Sequence, residues 1–179
     1  MFEGPVVYVD IETSGGSYRT SRIIEVAAIR VENGKIVDEF NTLVNPNRLI
    51  SPWITNITGI TNADLAPAPL FEDVAERLMQ ILDGAIFIAH SVRFDYSFIK
   101  NQLDALGYTF EPKLLCTVRL SRKLYTGVKG HSLEKIINRH QIEVASRHRA
   151  YDDAKAIWEF SKIAFNEHGA ELFSEAANH

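Results

Sequence analysis

Pro5-Val6-Val7-Tyr8-Val9 is a continuous apolar run that ends in acids, the pattern of a strand buried on both faces of a sheet. Residues 23–31 and 36–44 are rich in β-branched side chains, and the Glu32-Asn33-Gly34-Lys35 stretch between them carries Asn-Gly, a strong hairpin signal. The second and third strands are therefore expected to be antiparallel. After Pro67 and Pro69, the side chains of Phe71, Val74, Leu78, Ile81 and Leu82 fall on one helical face, and Gly84 follows. Residues 85–89 repeat the buried-strand pattern, and Phe94, Phe98, Ile99, Leu103 and Leu106 then mark a helix stopped by Gly107. Residues 114–117 read as a further strand. Helical stretches are predicted near 118–124 and 132–140, with a last helix over about 151–166 whose buried stripe is Ala154, Ile157, Trp158 and Phe165. The order βββαβαβα predicts an α/β fold: a mixed five-stranded sheet, three strands antiparallel and then parallel, flanked by helices.

A chain of 179 residues suits one domain, 1–179, with a substantial core. The hydrophobic fraction of 46% and charged fraction of 23% are ordinary globular values, without the low-complexity tracts of a disordered segment. Residues 1–4 lead straight into a strand-like run, with no basic segment before an apolar stretch and no window long enough to span a bilayer. No membrane partner is expected, and the expected location is cytoplasmic. Cys116, the lone cysteine, lies in the apolar run Leu114-Leu115-Cys116 and is expected to be a buried, inert thiol. The net charge of -4 conceals an asymmetry: residues 119–149 hold eight Lys or Arg against Glu134 and Glu143, a local +6. That segment fits phosphate contacts and a solvated helix face equally well.

Three short clusters carry candidate chemistry. Asp10 and Glu12 stand two apart at a strand end, so both carboxylates project to one face of the sheet. Two carboxylates held together in a low-dielectric site share a proton or neutralise a hard cation such as Mg²⁺ or Mn²⁺, whereas at a solvated strand end they do neither. In Ala89-His90-Ser91-Val92-Arg93-Phe94-Asp95 the acid begins a helix, which fits a third converging carboxylate and ordinary helix capping alike. In the stretch 147–154, His148 precedes Asp153 by five positions, pairing a base with a ligand: a neutral imidazole takes the proton of a water that a cation has acidified. His131 and His140 have no pattern that makes them ligands, and no Cys-x-x-Cys or His-x-x-x-His spacing suggests zinc.

The ordered set Asp10-x-Glu12, Asp95, His148 and Asp153 resembles the DEDDh family of 3′→5′ exonucleases, which includes the proofreading epsilon subunit of bacterial DNA polymerase III. The likeness covers roughly residues 5–165. It extends to Val9-Asp10-Ile11-Glu12-Thr13-Ser14-Gly15, Ile23-Ile24-Glu25-Val26, Ile57-Thr58-Gly59-Ile60 and His148-Arg149-Ala150-Tyr151-Asp152-Asp153-Ala154. The resemblance implies an RNase H-like fold with two divalent cations, Mg²⁺ or Mn²⁺, held by Asp10, Glu12, Asp95 and Asp153, and with His148 as general base. The family spacing selects Asp153 over Asp152, leaving Asp152 as a helix N-terminal charge. Tyr151 raises the variant of the family with tyrosine in the base position, but His148 at the proper offset favours the histidine class, with Tyr151 in packing. Thr13, Trp53 and Thr58 align with positions that hold the terminal nucleotide, while Trp53 beside Pro52 also suits packing in the loop 53–60. His90 and Phe94 fit the cleft or the ends of their strand and helix.

The function expected is release of nucleoside monophosphates from the 3′ end of single-stranded or frayed DNA. RNA trimming is the alternative, since nothing in the sequence speaks for or against a 2′-hydroxyl. A non-catalytic nucleic-acid-binding module is the second alternative, disfavoured because all four acids and the histidine are present. A polymerase or repair partner accords with the resemblance, and the oligomeric state is open. The ending Phe173-Ser174-Glu175-Ala176-Ala177-Asn178-His179 favours a stand-alone enzyme or excised domain over a replicase subunit.

Overall fold

In the computed structural model, which describes residues 1–177, the strand β1 (Val6–Thr13) forms the middle of a five-stranded sheet. Asn178 and His179, which close the terminal segment read above, lie outside the described residues. On one flank β1 pairs antiparallel with β2 (Ile23–Glu32), which pairs antiparallel with β3 (Lys35–Leu43). On the other it pairs parallel with β4 (Ile86–Ala89), which pairs parallel with β5 (Leu114–Cys116), giving the order β3-β2-β1-β4-β5. The mixed sheet anticipated from the patterning is thus present. Asn33 and Gly34 both adopt positive φ, 52° and 74°, as the tight turn between β2 and β3 demands.

Between β3 and the first long helix the chain forms α1 (Pro52–Thr58) and α2 (Asn62–Leu65), where the sequence was read as a loop. Local capping explains them. The Ser51 side chain accepts from the Ile54 amide with Pro52 at the helix start, and Thr61 and Asp64 form a reciprocal capping box. Beneath them Ile24, Ile50, Ile54, Ile60 and Leu65 make a small separate core. Helix α3 (Phe71–Leu82) has the predicted bounds, and α4 (Arg93–Ala105), α5 (Thr117–Leu124) and α6 (Leu133–His140) differ from expectation by a residue or so at their ends.

The last helix, α7 (Ala150–Ala177), runs well past the predicted end near residue 166. Gly169, at φ 76°, interrupts it with a kink, and the helix resumes because Phe173 and Ala176 are buried against the core. Of its expected stripe, Ala154 and Ile157 are buried, whereas Trp158 and Phe165 are half-buried; Phe160, Ala164 and Phe173 fill the interior instead. Cys116 is likewise half-buried rather than buried, since it ends the edge strand β5. No helix among the described residues is long and apolar enough to cross a membrane.

The alternation along β1 decides where its acids point. Val7, Val9 and Ile11 join the core under α3 and α4, while Val6 and Tyr8 join the one under α5, α6 and α7. By the period of two, Asp10 and Glu12 continue the Val6–Tyr8 row and face the layer that holds α7. Glu25, opposite Glu12 in the β1–β2 register, belongs to the row of Ala27, Ile29 and Val31 on that same face.

Candidate active site

Three elements bring the carboxylates together. β1 runs through Thr13, so Asp10 and Glu12 lie within the strand, with an irregularity in pairing between Glu12 and Thr13. Asp95, in the first turn of α4 and 3% exposed, accepts a hydrogen bond at 3.2 Å from the backbone N–H of Ile11, the residue between the two β1 acids. Asp153, in the first turn of α7 and 4% exposed, arrives from the opposite layer. Its carboxylate oxygen and those of Glu12 and a ring nitrogen of His148 lie within 4.8 Å of one another, a grouping able to hold a metal ion.

Electrostatics report the same convergence. Burial raises the Asp10 carboxyl well above the ordinary range, and the charges of Asp95, Asp153 and Glu12 add to the rise. Glu12 is pushed up to about 8, first by burial and then by Asp153, Glu25 and Asp95. Asp95 is likewise raised to about 8 by burial, and Asp153 is raised, again by burial, with Arg147 pulling the other way. Arg147 pairs directly with Asp153 and favours the charged forms of Asp10 and Glu12 too. Hard oxygen ligands in excess of their counter-charge match a divalent cation such as Mg²⁺ or Mn²⁺. The donor set therefore fits a divalent cation.

The loop that carries His148 is tethered on both sides. Arg147 bonds to Asp153, and Arg149 donates through Nε and Nη2 to Glu25 Oε2, each at 2.8 Å. Glu25 Oε1 also accepts the backbone N–H of Ala150, the first residue of α7. Glu25 is 1% exposed, so this carboxylate is a buried strap between β2 and the start of the helix that bears Asp153. His148 sits between the two arginines at φ 58°, solvent-exposed. Glu25 stands in the Ile23-Ile24-Glu25-Val26 motif with no local sign of this role, because its partner lies 124 residues away.

Thr13 is buried and its hydroxyl donates to the Gly15 carbonyl at 2.8 Å. Trp53 lies on α1 with 66% of its surface exposed, so it is not packed into the loop. Thr58 is buried at the end of α1, its hydroxyl bonded to the Ile54 carbonyl and the Ile60 amide. Asp64 of α2 lies in the electrostatic field of Arg149. Asp152 is half-buried in the first turn of α7, and the Tyr151 hydroxyl donates to Glu39 at 2.6 Å. His90 Nδ1 meets the Thr117 hydroxyl at 3.0 Å, and burial lowers the histidine to about 4. Phe94, at 40% exposed, packs against Phe98 with the rings tilted and their centroids 4.9 Å apart. A cavity of about 460 Å³ lined by Pro5, Met79, Ala85 and Phe110 lies at the other end of β1 and β4, remote from the acids.

Comparison with known proteins agrees with this geometry. A family model described as exonuclease matches residues 7–160, most of the chain. This chain belongs to that exonuclease family. Among relatives, the PolC-type DNA polymerase III of Caldanaerobacter subterraneus subsp. tengcongensis is 42% identical over 154 residues, 86% of this chain and 11% of its own length. A Bacillus subtilis protein named 3′-5′ exonuclease DinG is 38% identical over 151 residues, 83% of this chain and 16% of its own. The DNA polymerase III epsilon subunit of Aquifex aeolicus is 37% identical over 155 residues, covering 86% of this chain and 77% of that one. This family member therefore corresponds to a small part of the first two relatives and to most of the third. Exonuclease X, solved with 5′ overhanging duplex DNA, superposes with a TM-score of 0.74 at 27% identity over 97% of this chain and 98% of that chain. Escherichia coli exonuclease I, solved with zinc and single-stranded DNA, gives a TM-score of 0.84 over 97% of this chain and 43% of its own, at 20% identity, and so shares the fold.

Proposed function

We propose that this exonuclease removes nucleotides from the 3′ end of single-stranded or frayed DNA, acting as one domain over residues 1–179. The observation that carries the reading is the meeting of Glu12, Asp153 and His148 beside Asp10 and Asp95, with all four acids raised by burial and Asp10 and Glu12 also by repulsion from their neighbours. The direction of attack is supported by the relative named a 3′-5′ exonuclease and by the likeness to an epsilon subunit. Exonuclease X and exonuclease I, solved on DNA, support DNA as the substrate. The epsilon likeness also supports work beside a polymerase or repair partner.

In this reading Asp10, Glu12, Asp95 and Asp153 would hold two divalent cations, Mg²⁺ or Mn²⁺, which would supply Lewis-acid activation of water and neutralisation of charge on the phosphodiester. His148 accepts the proton that the attacking water loses as the bond from phosphorus to the 3′ oxygen breaks. Its exposure at the rim lets it pass that proton to solvent. Asp95 is kept in register with β1 by the Ile11 amide, and Asp153 by the strap at the start of α7. Trp53 offers an exposed ring on which a terminal base stacks, worth about 1–3 kcal/mol per base in such sites. Thr13 and Thr58 shape the same nucleotide pocket.

The test is a 5′-labelled single-stranded DNA incubated with purified protein in Mg²⁺, Mn²⁺ or EDTA, with an RNA of the same sequence beside it. A ladder shortening from the 3′ end is expected with either metal and not with EDTA, and it disappears in Asp10→Ala and His148→Ala. Internal cuts, or cleavage indifferent to the chelator, refute the reading. RNA degraded faster than DNA moves it to the ribonuclease alternative.

A further inference from the structure

The eight basic side chains of residues 119–149 divide by what holds them. Arg147 and Arg149 are engaged by Asp153 and Glu25. The other six ride on α5, on the loop after it and on α6, and this layer begins at the active site. Thr117, the first residue of α5 and fully buried, meets His90, which directly follows β4. One turn on, Ser121 Oγ lies 2.8 Å from His131 Nδ1 and ties the end of the loop to α5. Arg139 donates to the Gly130 carbonyl at 2.7 Å, drawing the Lys129–Gly130 tip against α6. His131 lies in the fields of Arg139 and Arg122, and His90 in those of Arg147 and His131. Burial holds both histidines toward their neutral forms, so the positive charge beyond Arg147 is that of Arg122 and Lys129, exposed, and of Arg139, half-buried. Residues 117–140 hold six Lys or Arg against Glu134 alone, a net +5, so the rest of a chain of net charge -4 carries -9.

We propose that Arg122, Lys129 and Arg139 form a track for the sugar-phosphate backbone of the single strand leading to the 3′ end held at the acids. The inference rests on the exonuclease reading and adds the path of the substrate beyond its terminal nucleotide. A polyanion threading toward an acidic cleft is repelled by most of this surface and attracted along this one line. The Arg122 fork and the Lys129 ammonium, with the positive field of Arg139 whose Nη2 is held by the Gly130 carbonyl, suit successive phosphates and ignore base identity, as an enzyme that consumes any sequence requires.

The test measures binding of 5′-fluorescein oligodeoxynucleotides of four and twelve nucleotides, protected by 3′-terminal phosphorothioates, by anisotropy in Mg²⁺ over a salt series. In the triple variant Arg122→Gln, Lys129→Gln, Arg139→Gln, affinity for the twelve-nucleotide strand should fall tenfold or more at low salt. The gain in affinity from four to twelve nucleotides should shrink, and the slope of log affinity against log salt should flatten by about 2, at ~0.7 per phosphate contact on single strands. Arg122→Gln with Lys129→Gln, which spares the Arg139 bond to Gly130, should flatten it by about 1.4. Lys35→Gln with Lys113→Gln, at the far end of the sheet, should change neither quantity. Equal losses in that control, or a correctly folded triple variant with the wild-type slope, overturn the proposal. So does a triple variant that binds the strand normally but loses affinity for polyglutamate, which assigns the surface to an acidic protein. Wild-type protein that neither binds these strands nor shortens an unprotected strand of the same sequence indicts the exonuclease reading itself; wild-type binding with an unaffected triple variant indicts only the track.

Discussion

Two acidic groups one strand apart on the same face of the sheet meet opposite fates. Glu25 on β2 is buried, yet Arg149 and the Ala150 amide satisfy both of its oxygens. Across the register Glu12, with Asp10, Asp95 and Asp153, is paired among the described residues with one guanidinium, that of Arg147. The first group is neutralised and holds the structure together. The second is under-neutralised, and its carboxyls are raised, first by burial and, at Asp10 and Glu12, also by the charges of their neighbours. A buried carboxylate with its own cation is architecture, and a surplus of them is a demand for something from solution.

The strongest way to break this comparison is Asp10→Asn. It should cost at least about 10³-fold in nuclease rate, of the order seen when groups that organise transition-state charge are lost. In EDTA it should raise Tm, by about 3 °C if the relieved repulsion is ~1 kcal/mol, as read by differential scanning calorimetry. A variant that is both inactive and less stable would show that Asp10 is not under repulsion. Glu25→Ala should do the reverse to stability. It leaves the Ala150 amide without its acceptor, for a loss of about 2 kcal/mol in urea unfolding, and Glu25→Gln should retain part of it. If Glu25→Ala is neutral, the strap does not hold α7.

Proton linkage gives the smallest and most diagnostic effect. The four acids hold protons in the folded chain that the unfolded chain releases at ordinary carboxylate pKa values. Their contribution therefore favours the fold at the acid end of the window. It is lost as pH rises from the usual carboxylate range through about 8, the value reached by Glu12 and Asp95. In EDTA, Tm should drift down between pH 5 and 8.5, and the rise in Tm on adding Mn²⁺ should grow over that interval. A metal-induced rise that is level with pH contradicts the under-neutralised group.

Much of this was legible because it is local. Asn33-Gly34 announces the hairpin, the apolar run before Asp10 announces a buried strand, and the spacing in Asp10-x-Glu12 puts both acids on one face whatever the rest of the chain does. The short helices α1 and α2 passed as loop because they are only seven and four residues long and owe their form to caps at Ser51 and Thr61 rather than to an apolar stripe. The extension of α7 past Gly169 is decided by burial of Phe173, a tertiary effect that overrides a local stop signal. The Glu25 strap was hidden for the same reason, since only the fold reveals that an acid on β2 meets an arginine 124 residues later.

The central place of β1 has a mechanical corollary. A strand laced to β2 from Val6 to Thr13 and anchored to β4 along Val6–Tyr8 cannot easily step sideways to let Asp10 and Glu12 withdraw from their neighbours. Mutual pressure among the acids thus has no elastic outlet in the backbone, and only a proton or a cation can release it.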